Sequence, residues 1–191
     1  MASSFLSEPE PTAATRALYA GDQERVGYVM NLSRMWAHQP AAHDILFDLV
    51  DDMATAAGLS FRDRGLLISA AASTMGDSYC SLAWGNRLAG AADGAIAAGV
   101  LTGDDDALDD RERALTRWAR QVARDPNGTT ATDVEALRDV GYDDGQVQAI
   151  TTFVALRLAF STVNDALGAV PDDELSASVD PQVRRAVTWG R

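Results

Sequence analysis

One cysteine and two histidines are all that 191 residues offer of the side chains most used for metal binding and redox chemistry. A lone cysteine cannot close an intrachain disulfide, so no covalent framework is expected. His38 and His43 stand five residues apart around Pro40. They match no zinc-ligand spacing and have no cysteine cluster beside them, so no metal site is expected and both are read as surface residues. No run of about 18 apolar residues exists, which excludes a membrane-spanning helix. The opening MASSFLSEPEP lacks the basic start and apolar stretch of a secretory signal, so a cytoplasmic location is expected. Positive charge is scarce: 16 basic residues face 28 acidic ones, a formal net charge of −12. Such a surface repels phosphate backbones, so nucleic acid is excluded as a partner. Arg111, Arg113, Arg117, Arg120 and Arg124 form the nearest thing to a basic cluster. Their helical spacing among acids reads as a solvated face. No Gly-rich phosphate loop, nucleophile elbow or dinucleotide fingerprint appears, and no cofactor is implied.

What is present is ordinary for a soluble domain: 47% apolar and 23% charged residues, in a chain long enough for one substantial core. Helical punctuation dominates. Asp22 can cap a helix carrying Val26, Val29, Met30, Leu32 and Met35. Pro40 suits a first helical position, and Ile45, Leu46, Leu49, Val50 and Met53 then repeat at three- and four-residue steps. Ser60 and Asp63 resemble a capping box, leading into Leu66, Leu67 and Ile68, with Gly76 as a break. The Asp104–Asp110 region feeds a helix through Leu115, Trp118 and Val122. Thr132 and Glu135 suggest a second capping box, and a long helix is read from Asp143 to about Leu167. Strand-like alternation is absent. The expected class is all-α, with about eight helices. The expected organisation is a flexible arm over residues 1–12, a helical domain over 13–175, and an extension over 176–191 with a short helix starting at Pro181.

One stretch, Met75-Gly-Asp-Ser-Tyr-Cys-Ser-Leu-Ala-Trp84, holds the only cysteine. Helical spacing places Asp77, Cys80, Trp84 and Arg87 on one face. For Asp77, a helix cap just after Gly76 competes with a proton-transfer role in a closed pocket. For Cys80, a small buried hydrophobe competes with a reactive thiol. A neighbouring carboxylate raises a thiol's pKa, which opposes activation. Trp84 is core or the wall of a ligand site. Tyr79, Ser81 and Asn86 are further donors nearby.

The order LSFRDRGLLISAAASTMGDSYCSLAWGNRLAGA, with the segments around it over roughly residues 25 to 170, resembles the alkylhydroperoxidase D-like and carboxymuconolactone decarboxylase superfamily. The resemblance implies an all-α fold of that type and a homo-oligomer, commonly a trimer or hexamer. Its peroxidase members carry a glutamate, then Cys-x-x-Cys, then a histidine four residues on. On this chain the second cysteine falls on Cys80, the first on Asp77, the histidine on Trp84 and the glutamate on Gly65. Three of the four positions differ, so the dithiol activity is not carried over. The expected function is a cofactor-independent enzyme acting on a small organic molecule by proton transfer, such as decarboxylation, isomerisation or elimination. Asp77 and Cys80 are its candidate catalytic residues, and Trp84, Arg87, Tyr79 and Gly65 its substrate contacts. The alternatives are a one-cysteine peroxidase working through Cys80 and a non-catalytic binding or structural member.

Overall fold

A computed structural model describes residues 3–191 and contains eleven α-helices, with no strand among the described residues. In chain order they are α1 Ala13–Val26, α2 Asn31–Trp36, α3 Pro40–Ala56, α4 Phe61–Met75, α5 Ser78–Ala91, α6 Gly94–Thr102, α7 Asp110–Arg124, α8 Ala131–Asp139, α9 Asp144–Ala166, α10 Asp173–Ser178 and α11 Pro181–Ala186. Eight of them are seven residues or longer, which matches the expected count of substantial helices.

Most boundaries follow the capping chemistry. Pro40 opens α3. Ser60 and Asp63 exchange hydrogen bonds as a capping box at the start of α4. Asp143 caps α9 by accepting from the Gln146 amide. Two starts fall elsewhere. Asp22 does not open a helix; Thr12 caps α1, and Gly27 ends it in the left-handed region at φ 85°. Asp22, fully buried inside α1, instead accepts the Met30 amide at 3.0 Å and pairs with Arg25 at 2.8 Å. It therefore holds the entry to α2 from outside that helix. Likewise Thr130, not Thr132, caps α8, because Asp133 closes a box of the same spacing two residues earlier.

α4 is the central helix. Its residues Gly65 to Ala72 are all buried, because it packs against α5, α6, α7 and α9 at once. Full burial of side chains such as Leu66 and Leu67 contributes roughly 1.5–3 kcal/mol each. α7 turns Leu115, Trp118, Ala119 and Val122 inward. Several of its arginines meet acids: Arg111 pairs with Asp63 at 2.8 Å and Arg120 with Asp105 at 2.6 Å.

The two ends of the chain join this core. Met1 and Ala2 of the expected arm lie outside the described residues. The Phe5 amide donates to the Leu167 carbonyl at 2.9 Å, tying the segment before α1 to the end of α9. Near the C-terminal end, α11 packs on α5 and α6 with Val183 fully buried. At Gly85 a Cβ would stand 2.8 Å from a Val183 methyl, so the absence of a side chain there permits the α5–α11 approach.

Candidate functional site

The site begins where α4 stops. Gly76, at φ 77°, ends α4, and Asp77 becomes the N-cap of α5, its Oδ1 accepting the Cys80 amide at 2.9 Å. From that fixed start, the 3.6-residue period carries Cys80, Trp84 and Arg87 along one side of α5. They border a cavity of about 710 Å³. α3 contributes His43 and Phe47 to its wall, and α9 contributes Arg157 and Phe160. Met30, Leu32, Asp172 and Leu175 also line it, and Asp44, Asp48 and Asp51 bring acid from α3. This volume falls in the range typical of small-molecule sites.

The sequence-derived candidates separate into two groups. Tyr79, Cys80, Trp84 and Arg87 line the cavity. Asp77 and Gly65 are not among its lining residues, unlike the pocket role read for Asp77 and the substrate contact read for Gly65. Because α5 starts at Ser78, the Asp77 carboxylate folds back on the first turn and is fully buried there as a cap; its Oδ2 meets no hydrogen-bond partner. Gly65 lies at the α4–α5 contact, where a Cβ would come within 3.3 Å of Leu88. It is a small residue at a helix crossing.

Cys80 is only 2% exposed. Burial pushes its thiol up to about 12, and the nearby Asp77 charge pushes the same way. Arg157 opposes this, with Nη2 at 3.8 Å from Sγ, but does not outweigh it. The protonated thiol is therefore the resting form, the reverse of what a nucleophilic cysteine needs.

Arg157 is a cavity residue that sequence reading missed. It is 4% exposed and has no carboxylate partner among the described residues. Aromatic rings surround it instead: its guanidinium carbon lies 4.9 Å from the Phe160 ring centroid, 5.5 Å from Phe47 and 5.7 Å from Trp84. The signal was available, since Arg157 is a lone cation within the apolar run Phe153-Val-Ala-Leu-Arg-Leu-Ala-Phe160. Arg87 is more exposed and lies 5.0 Å from the same Trp84 ring. Protein packed round its guanidinium, with the Arg157 charge second, lowers its pKa from the ordinary arginine value.

His43, expected at the surface, is instead 6% exposed and lines the cavity. The proline that starts α3 sets the register that turns it inward, against Trp36, Phe47 and Phe160. Burial lowers its pKa, with Asp44 opposing, so the imidazole is neutral at pH 7. Its Nδ1 lies 3.2 Å from Asp44 Oδ1. An ionised carboxylate only accepts, so Nδ1 carries the proton and Nε2 keeps the lone pair. Tyr79 donates to Asp172 Oδ2, while Asp172 Oδ1 accepts the Asn31 amide at 2.6 Å. That pair ties α5 to the start of α2. Among the described residues no group of three or more His, Cys, Asp or Glu side chains is gathered to hold a metal ion, and no helix is long and apolar enough to cross a membrane.

No protein-family model and no curated protein matches the sequence. Solved structures do. The chain is similar to a peroxidase-related protein of Ralstonia eutropha, described as an alkylhydroperoxidase AhpD core, with a TM-score of 0.81 at 23% identity over 91% of this chain and 94% of that one. A peroxidase-related protein of a Silicibacter species superposes with a TM-score of 0.80 at 21% identity, covering 92% and 95%. The debrominase Bmp8, solved in complex with 2,3,4-tribromopyrrole, gives 0.73 at 14% identity, covering 91% and 95%. These likenesses span nearly the whole of each chain, and at such identities they speak to architecture alone. This protein has the alkylhydroperoxidase D-like helical fold.

Proposed function

We propose that this protein is an enzyme that takes a small, partly apolar organic molecule into the cavity beside α5 and acts on it by proton transfer, with His43 as the acid–base group. The observation that carries this reading is the cavity of about 710 Å³, walled by aromatic rings and holding a neutral, buried imidazole. A general base must be deprotonated at the working pH and carry a free lone pair; the neutral His43, with Nδ1 facing Asp44, keeps its lone pair on Nε2. Proton transfer of this kind needs only side chains. Asp77, first expected in this role, supports it indirectly by fixing where α5 begins. The high pKa of Cys80 weighs against a one-cysteine peroxidase, and the open cavity weighs against a collapsed relic. A debrominase of the same architecture that holds a small halogenated ring supports small-molecule chemistry on this scaffold. A homo-oligomer is also proposed, and Ile45 and Phe61, 67% and 55% exposed, support it as apolar contact points.

The test is a turnover screen over small organic substrates with the wild type, His43→Gln and Asp77→Asn. His43→Gln is expected to lower kcat by about 10²–10⁴-fold, the usual contribution of a positioned acid–base group. Asn also caps helices well, so Asp77→Asn is expected to leave turnover within a few fold. Because burial lowers the His43 pKa, kcat/KM is expected to hold through neutral pH and to fall only at pH values below the ordinary imidazole value of 6.5. Wild-type turnover in His43→Gln would remove His43 from the mechanism.

A further inference from the structure

Several arginines set partly into this protein are neutralised. Arg62 meets Glu112 at 2.6 Å, Arg111 meets Asp63 at 2.8 Å, and Arg120 meets Asp105 at 2.6 Å. Arg25, at the cavity edge, has Asp22. Arg157 stands apart, and the exposed Arg87 borders the same cavity; neither has a carboxylate partner among the described residues. Arg157 is the more telling, because it is 4% exposed and its Nε is buried without any hydrogen-bond partner. Burying a charge without a counter-ion is unfavourable, and proteins that do so generally hold a place for one. Both guanidinium groups lie against the Trp84 ring, one carbon 5.0 Å and the other 5.7 Å from its centroid, and the Arg157 charge acts on Arg87.

We propose that Arg87 and Arg157 are an anion-recognition pair, and that the ligand of this cavity is a singly charged carboxylate with an aromatic or conjugated body. The proposal rests on the reading of the cavity as a small-molecule site and names the class of molecule. A guanidinium presents parallel N–H donors in a rigid fork that fits the two oxygens of a carboxylate. The apolar wall of Met30, Leu32, Phe47, Phe160 and Leu175 then receives the body. The charge is limited by the surroundings: Asp44, Asp48 and Asp51 border the same space, and the chain as a whole carries −12. That field disfavours phosphates and other multiply charged anions and leaves room for one negative charge held deep inside. Carboxylate recognition also places the anionic group on the side of the cavity walled by α5 and α9, with the body toward His43 on α3.

The experiment compares 2-naphthoate with its neutral analogue 2-naphthamide by isothermal titration calorimetry on the full chain, with inorganic phosphate as a third probe. Naphthoate is expected to bind at least about tenfold more tightly than naphthamide, and phosphate not measurably; tenfold corresponds to one well-made charged contact in a partly desolvated site. Arg87→Met and Arg157→Met are each expected to lower that preference, read as the ratio of the naphthoate and naphthamide affinities within the same variant. Arg157→Lys, which keeps the charge but loses the fork, is expected to retain part of it. If one methionine variant fails to fold, the other carries the test. Equal binding of naphthoate and naphthamide would overturn the anion proposal and leave the small-molecule reading standing. Failure of both probes to bind would overturn both. Preferential binding of phosphate would overturn the assignment to a carboxylate.

Discussion

Alkylation of Cys80 by iodoacetamide at pH 8 is expected to run about a thousandfold slower in the folded protein than in the denatured chain. The thiolate is the reacting species, so the rate follows its fraction. An ordinary thiol with a pKa of 9.0 is roughly one-tenth ionised at pH 8, whereas one pushed up to about 12 is ionised to about one part in ten thousand. Burial to 2% exposure slows the reagent further. The two causes can be separated. Asp77→Asn preserves the helix cap but removes the negative charge that helps raise the thiol, so Cys80 should then alkylate faster. Arg157→Met removes a nearby cation that lowers it, so alkylation should slow. Rapid labelling of the wild type at neutral pH would show an activated thiol and revive the one-cysteine peroxidase.

Arg157→Met is expected to raise the thermal midpoint of the ligand-free protein. Removing a buried arginine usually destabilises, because it strands a carboxylate. Here no carboxylate would be stranded. The methionine keeps much of the apolar stem against Phe47, Phe160 and Trp84, and the desolvation of the guanidinium disappears. The substitution also gives up the cation–π attraction to those rings, on the order of 1 kcal/mol, which offsets part of the gain. A net stabilisation of about 1–2 kcal/mol follows, or about 3–6 °C for a chain of this size. The same variant should lose the stabilisation that 2-naphthoate gives the wild type. Differential scanning calorimetry with and without naphthoate reads both effects. A lower midpoint in Arg157→Met would mean that the arginine is a structural residue well satisfied by its rings.

The helices were legible in the sequence because their ends are set by local chemistry. Pro40, the Ser60–Asp63 box, Gly76 and Asp143 each act within one turn, and each falls where the residue types indicate. Where reading slipped, two local solutions competed. Asp22 has the chemistry of a cap but serves the amide of Met30 eight residues on, across the turn at Gly27, which is a tertiary fact. The site was half legible for the same reason. The face of α5 follows from helical period alone, so Cys80, Trp84 and Arg87 could be placed together. Asp77 could be read either as a cap or as a pocket acid, and only the starting residue of α5 decides between them. His43 and Arg157 reach the cavity from α3 and α9, and nothing local says that those helices meet α5. A single charge in an apolar helix marks Arg157 as unusual but does not say what it faces.

If a small organic anion sits in the one space walled by Arg87, Arg157 and Trp84, all three side chains must sense its arrival. Heteronuclear NMR of protein labelled at arginine and tryptophan side chains, titrated with 2-naphthoate, tests this most directly. The guanidinium Nε–H signals of Arg87 and Arg157 and the indole Nε1–H signal of Trp84 are expected to shift together along one saturating curve, while those of the ion-paired Arg62, Arg111 and Arg120 stay in place. Saturation accompanied by shifts confined to the paired arginines, with Arg87, Arg157 and Trp84 unmoved, would contradict it.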